Sequence, residues 1–252
     1  MLVTLFLATL SLSHASPAKA GVQSRAARNW APAFAGEAER DGRRGQSALA
    51  APLQPRNMTP IDAERAFAED ARTIGQWTAF RKWSADDAVI FVSQPINARE
   101  WLKDRKNPVQ AIDWWPTASY ISCDGKLAVN TGGWRRPDGK VGYFSTVWQH
   151  QADGSWRWIS DGGDGLAKPR PVPKVPLTKV AHCSVPPSWE DDVVYVCPEN
   201  AKCGHGGGTD GTITWDWQVA ADGSRLFRAS LWDGKRYVPV IDDKVAGSPA
   251  NK

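Results

Sequence analysis

The chain is predicted to fold as α+β, with N-terminal helices packed in a curved antiparallel sheet and a small β-meander extension at the C-terminus. Two observations predict the order of elements. Thr59-Pro60-Ile61-Asp62 is a helix start, and the segment after Trp114-Trp115-Pro116 is a run of strand-like stretches separated by Asp124-Gly125, Asp138-Gly139 and Asp153-Gly154. Asp-Gly between such stretches is a strong hairpin signal, because both central residues of a tight type I′ turn need positive φ. A third observation, the repeat of Asp-Gly at 222–223 and 233–234, predicts the appended meander.

Thr59 supplies an N-cap hydroxyl, Pro60 suits the first helical position and Asp62 complements the orphan amides and the helix dipole. Ala63, Phe67, Ala71 and Ile74 recur at helical spacing; Gly75 breaks the helix, and a second one is expected over Gln76 to Trp83. Ala88 to Val92 is a continuous β-prone run expected to be buried on both faces and ended by Pro95. Asn97 with Glu100 forms a capping signal for a short helix. Further strands are expected at Ser119 to Cys123, Leu127 to Trp134, Val141 to His150 and Trp156 to Ser160.

Residues 1–20 read as a secretory signal peptide. Leu2 to Leu12 is apolar but too short to span a bilayer, and Ala18-Lys19-Ala20 is a small-x-small cleavage site. Cleavage near Ala20 would deliver the protein to the periplasm or outside the cell. No cysteine follows that site and no other segment is apolar enough to cross a membrane, so no stable membrane anchor is expected. Residues 21–58 are rich in Ala, Arg, Gly and Gln and read as a disordered spacer. A net charge of +4 with scattered basic residues argues against a nucleic-acid partner.

The main domain is expected over 59–165 and a proline-rich, solvated linker over 166–187, with Pro169, Pro171, Pro173 and Pro176 at polyproline spacing. A small disulfide-stabilised β extension follows over 188–245. In it Ile213, Trp215, Trp217 and Val219 alternate with polar residues, and two more strands complete a three-stranded meander. Four cysteines in an exported chain favour two disulfides. Of the three pairings open to Cys123, Cys183, Cys197 and Cys203, the first choice is Cys197 with Cys203 and Cys123 with Cys183. The spacing of His182, Cys183, Cys197, Cys203 and His205 fits no zinc motif. The glycine-rich stretch Gly204 to Gly208 reads as a turn and follows no phosphate-binding pattern, so neither a metal nor a cofactor is predicted.

Three stretches carry a resemblance: Thr131-Gly132-Gly133-Trp134, Gly142-Tyr143-Phe144-Ser145-Thr146-Val147-Trp148, and Asp153-Gly154-Ser155-Trp156 closing on Asp161. Across residues 62–164 the chain resembles the nuclear transport factor 2-like superfamily, in its SnoaL-like branch of secreted bacterial domains. The resemblance implies a cone-shaped α+β barrel whose sheet curls around the first helix and leaves a pocket. It also implies a possible homodimer through the outer sheet face, unless the C-terminal extension covers that face. Active members such as ketosteroid isomerases, polyketide cyclases and scytalone dehydratase place a carboxylate or histidine in the pocket for proton transfer.

Candidates for that role are His150, Asp87 and Asp161, with Asp86 and Asp113 as further acids. His150 shares a strand face with Trp148, and histidine is the residue type usually suited to proton transfer near neutral pH. The acids stand where turns and caps also want them. Trp77, Trp114, Tyr120, Trp134, Tyr143 and Trp148 are candidates to line the pocket and stack on a small apolar or aromatic ligand, though aromatics at such positions also serve simply as core. The expectation is therefore an exported small-ligand-binding or interaction protein, with an isomerase-, dehydratase- or cyclase-type enzyme as the alternative. A pocket filled by Trp and Phe side chains would leave the interaction role.

Overall fold

A computed structural model describes Gln54, residues 57–186 and residues 196–247, all within one compact unit spanning Leu49–Lys252. The stretch read as a signal peptide, most of the stretch read as a spacer, and Trp189 lie outside the described residues.

Helix α1 (Pro60–Thr73) starts as the sequence dictates. The Thr59 hydroxyl accepts from the Asp62 amide at 3.1 Å, and the Asp62 carboxylate accepts in return from the Thr59 amide at 3.2 Å. Gly75, at φ +95°, turns the chain into α2 (Gln76–Trp83). Glycine offers α2 no capping side chain; the Asn107 carbonyl oxygen does so from the far side of a loop, accepting from the amides of Trp77 (2.8 Å) and Thr78 (3.1 Å). A Cβ on residue 75 would strike that asparagine.

Strand β1 (Ser84–Phe91) alternates in burial instead of being buried on both faces, and Pro95 does not end the β structure but opens β2 (Pro95–Asn97), its antiparallel partner. Asn97 caps α3 (Ala98–Leu102), accepting from the Glu100 amide at 3.0 Å. Strands β3 (Asp113–Ile121), β4 (Leu127–Arg135), β5 (Val141–His150) and β6 (Trp156–Leu166) follow as consecutive antiparallel hairpins. β3 is longer than expected, because a register shift between Pro116 and Ala118 accommodates the proline within the ladder.

The Asp-Gly hairpins form, but their chemistry differs from the expected type I′ turn. Gly125, Gly139, Gly154, Gly223 and Gly234 have positive φ, whereas none of the aspartates before them does. The first four glycines donate to the carbonyl three residues back, and each of the five aspartates accepts from the amide two residues on. This is an Asx-stabilised turn whose glycine absorbs the left-handed residue.

The run Asp161-Gly162-Gly163-Asp164-Gly165 is strand rather than turn. Gly162 pairs with Ser145 and Gly163 with Phe144, and a Cβ on Gly163 would collide with the Tyr143 carbonyl. Glycine is required at Gly163 by close backbone approach.

The main sheet has seven strands in the order β2-β1-β6-β5-β4-β3-β7 and is mixed, not purely antiparallel. β1 runs parallel to β6. β7 (Leu177–Val180), inside the proline-rich stretch, runs parallel to β3 as an edge strand. The second sheet has four strands rather than three: β8 (Lys202–Gly207), β9 (Ile213–Val219), β10 (Arg225–Trp232) and β11 (Tyr237–Val245), in the order β11-β10-β9-β8. The glycine-rich stretch expected to be a turn lies largely within β8. A Cβ on Gly204 or Gly206 would overlap the Trp217 or Trp215 indole, so glycine here makes room for cross-strand aromatics.

Two cores result. Between the helices and the main sheet lie Phe67, Trp83, Leu102, Trp114, Phe144, Trp148, Trp156 and Trp158. Between the sheets, Val129 and Val147 pack on Ile213, Trp217, Phe227, Leu231 and Ile241. The face of the main sheet opposite the helices is thus covered by the chain's own second sheet. Cysteines 123 and 183 are bridged, as are 197 and 203.

Candidate functional site

The strongest chemical feature on the helix side of the main sheet is a residue outside the candidate set, Glu64. It lies on the inward stripe of α1 with Phe67, Ala68 and Ala71 and is 1% exposed. Its Oε1 accepts from the Trp114 indole at 2.9 Å, and its Oε2 accepts from the Trp148 indole at 2.7 Å and from Asn130 Nδ2 at 3.2 Å. Asn130 also donates to the Pro60 carbonyl at 2.8 Å, which fixes the amide orientation. Burial pushes the Glu64 carboxyl up to about 7 against the pull of these three donors, with the charge of Asp161 adding to the rise.

Asp161 sits on β6 directly opposite Thr146, whose hydroxyl donates to it at 2.6 Å. Burial raises its carboxyl to about 6, opposed by that hydrogen bond and by Arg225. The buried Glu64 and the partly exposed Asp161 are therefore two carboxyls that both titrate near neutrality, and the Asp161 charge adds to the rise at Glu64.

Little open space surrounds Glu64. Phe67 meets Phe80 and Trp114 at 4.8 Å between ring centroids, Trp148 at 6.0 Å and Trp83 at 6.2 Å, mostly edge to face. Trp148 and Trp158 have no exposed surface. Two depressions beside α1, of about 140 Å³ and 590 Å³, are lined by neither Glu64 nor Asp161.

The predicted site residues divide between environments. Trp114 and Trp148 hold Glu64. Trp77 packs on Phe80 and Trp101 nearer the surface, and the Trp134 indole donates to the Tyr143 carbonyl at 2.9 Å. Tyr120 belongs to the core between the sheets, and Tyr143 has Arg170 over its ring on the sheet face away from Glu64, so these two do not join the helix-side aromatics. His150 stands edge-on to Trp156 at the end of β5, four strand positions from Thr146 and Asp161, roughly 13 Å at strand rise. Asp87 is exposed on β1, Asp86 pairs with Arg99, and Asp113 pairs with Arg72 at 3.0 Å. The trio His150, Asp87 and Asp161 is not assembled. The signal that would have found Glu64 is an acid on the apolar stripe of an amphipathic helix, where burial without partners is costly.

Among the described residues, no group of three or more histidine, cysteine or acidic side chains could hold a metal ion. No protein-family model matches the chain, and no curated protein matches it. Solved structures similar to it are nuclear transport factor 2-like and ketosteroid isomerase-like. A candidate ketosteroid isomerase from Parabacteroides distasonis shows 16% identity over 45% of this chain and 98% of its own, at a TM-score of 0.37. A nuclear transport factor 2-like superfamily protein from Salmonella enterica shows 15% identity over 43% and 89%, at 0.33. The Δ5-3-ketosteroid isomerase of a Mycobacterium species shows 14% over 42% and 92%, at 0.31. Likeness at these levels transfers no residue role and no reaction.

Proposed function

We propose that this chain is an exported binding or interaction domain built on a nuclear transport factor 2-like cone, whose interior is structural. The observation that carries this reading is the occupancy of Glu64: both carboxylate oxygens are engaged by indole and amide donors inside a closed set of aromatic rings. A general base must reach a substrate proton directly or through one water, and here the rings stand where a substrate would.

Two disulfides support export, since such bonds persist in oxidising compartments, and no described helix is long and apolar enough to cross a membrane. A small apolar or aromatic ligand would instead use the depression lined by Arg65, Trp115, Pro116, Val172 and Pro173, where aromatic and proline surface is accessible. A homodimer would need a surface other than the sheet face that β8 to β11 cover.

One observation favours the proton-transfer alternative: Glu64 and Asp161 titrate close to neutrality, as acid–base catalysts do. Titration of tryptophan fluorescence with a steroid and with an anilinonaphthalene sulfonate, between pH 5.5 and 8, separates the two. Trp114 and Trp148 report directly on Glu64. The structural reading predicts no saturable quenching from the interior. Saturable quenching whose affinity changes near pH 7 and disappears in Glu64→Gln would establish the enzyme-type pocket instead.

A further inference from the structure

At the Gly162–Gly165 end of β6 the two sheets meet through polar groups rather than through the apolar core. Arg225, the first residue of β10, is 8% exposed. Its Nη2 donates to the Gly163 carbonyl at 2.7 Å, and its guanidinium lies 4.6 Å from the centroid of the Phe91 ring, beside the position where Gly162 lacks a side chain. Asp164, Asp161 and Asp243 surround it, yet among the described residues no carboxylate is within ion-pairing distance. A guanidinium carries five donors and is seldom buried without a carboxylate fork to receive them.

Its foremost titratable neighbour is Tyr143 of β5. That phenol is 7% exposed, Arg170 covers its ring at 4.9 Å, and its hydroxyl has no hydrogen-bond partner in the protein. Two buried donor groups, one from each sheet, are therefore neighbours that do not satisfy each other: the Tyr143 hydroxyl finds no partner in the protein, and the Arg225 guanidinium is received by the Gly163 carbonyl but by no carboxylate. A buried polar atom in that state calls for a physical explanation. The surrounding groups are held in place. Ser145 donates to Asp243 at 2.6 Å and lies 3.2 Å from the Thr131 hydroxyl, which accepts from Arg170 at 2.8 Å.

We propose that Tyr143, Arg225, Asp164 and Asp243 form a binding site for a neutral hydroxylated ligand, a sugar or polyol. A hydroxyl accepts two hydrogen bonds and donates one, which matches spare donors on Tyr143 and Arg225 beside carboxylate acceptors. Charge does not favour an anion: around Tyr143 the cations Arg170 and Arg225 are matched by Asp164 and Asp243, so the site offers no net positive field. The site has an open side. Asp164, Asp243 and Arg170 are partly exposed. Only the edge of a ring needs to enter, with one hydroxyl reaching the buried pair. The site lies on the sheet face opposite Glu64, so it stands whether or not the interior binds anything.

The test is a titration of the folded protein with glucose, galactose, N-acetylglucosamine and glycerol, read by NMR at the Arg225 side chain and the amides of Gly162 to Gly165. At least one probe is expected to give saturable shifts. Tyr143→Phe, which keeps the ring and removes the hydroxyl, is expected to weaken binding about tenfold, the equivalent of one hydrogen bond. Its melting temperature should be unchanged or higher, because an unsatisfied buried hydroxyl is gone. Asp164→Asn should weaken binding without unfolding the protein. Short oligosaccharides of the same sugars distinguish a free sugar from a glycan end as the ligand. The proposal is overturned if no neutral probe shifts these signals, if acetate or phosphate shifts them while sugars do not, or if Tyr143→Phe binds as tightly as the parent chain.

Discussion

Glu64 shows how one side chain can set the pH behaviour of a fold. An unfolded glutamate titrates near 4.5, and burial lifts this one to about 7. The folded state therefore binds the proton more tightly than the unfolded state, and the associated stability is present in full below pH 4.5 and lost as pH rises toward 7. A shift of this size corresponds to about 3 kcal/mol at 1.4 kcal/mol per unit. Asp161, raised from 3.8 to about 6, acts in the same direction over a slightly lower window. The turn aspartates Asp124, Asp153, Asp222 and Asp233 are shifted the other way, so their contribution is lost only on acidification below the ordinary aspartate range. Urea unfolding between pH 5 and 8 should show stability falling with pH, and Glu64→Gln should flatten that slope by about 3 kcal/mol over the window. A parent protein equally stable at both ends would refute the linkage.

Glycine-rich strands separate what was legible in the sequence from what was not. On β6, a methyl at Gly163 would run into the Tyr143 carbonyl of the paired strand, whereas one at Gly165 would meet nothing closer than 4.0 Å. Gly163→Ala should therefore cost about 2 kcal/mol or more and Gly165→Ala less than about 0.5 kcal/mol, read from paired thermal melts. Equal effects would mean the strand does not pair as described. Local signals such as the Thr59 cap, the Gly75 break, the Asn97 cap and the five Asp-Gly turns each depend on a few consecutive residues, so the sequence shows them. Glycine misled where its role is set by a distant partner, as at Gly204 and Gly206 beneath two tryptophans, and Gly163, fixed against β5, carries no local signal of that role. Glu64 belongs to the second kind, because its partners lie 50 to 84 residues away.

At the scale of the whole molecule, the second sheet is fastened to the first by covalent, polar and apolar contacts. Cys123, just past β3, is bonded to Cys183, 60 residues on, which ties the connector after β7 to the main sheet. Beside it the Asp124-Gly125 turn interlocks with the turn before β9. The Asp124 amide donates to Asp210 at 2.7 Å, Thr209 donates to Asp124 at 2.8 Å, and the Cys123 amide donates to Thr212 at 2.8 Å. The apolar layer from Val129 to Ile241 continues inward from this corner. Loop-closure entropy grows with the logarithm of loop length, so the 60-residue bridge should contribute about 4 kcal/mol and the six-residue Cys197–Cys203 bridge about 2 kcal/mol. Replacing each cysteine pair with serine and measuring urea unfolding tests the difference. If the second sheet depends on the long bridge for its seat, the Cys123/Cys183 variant should also expose Trp217 and Trp232, now 7% and 6% accessible, to acrylamide quenching before the main sheet unfolds. A single cooperative transition with unchanged quenching would instead show that the apolar layer and the interlocked turns hold the two sheets together without the bond.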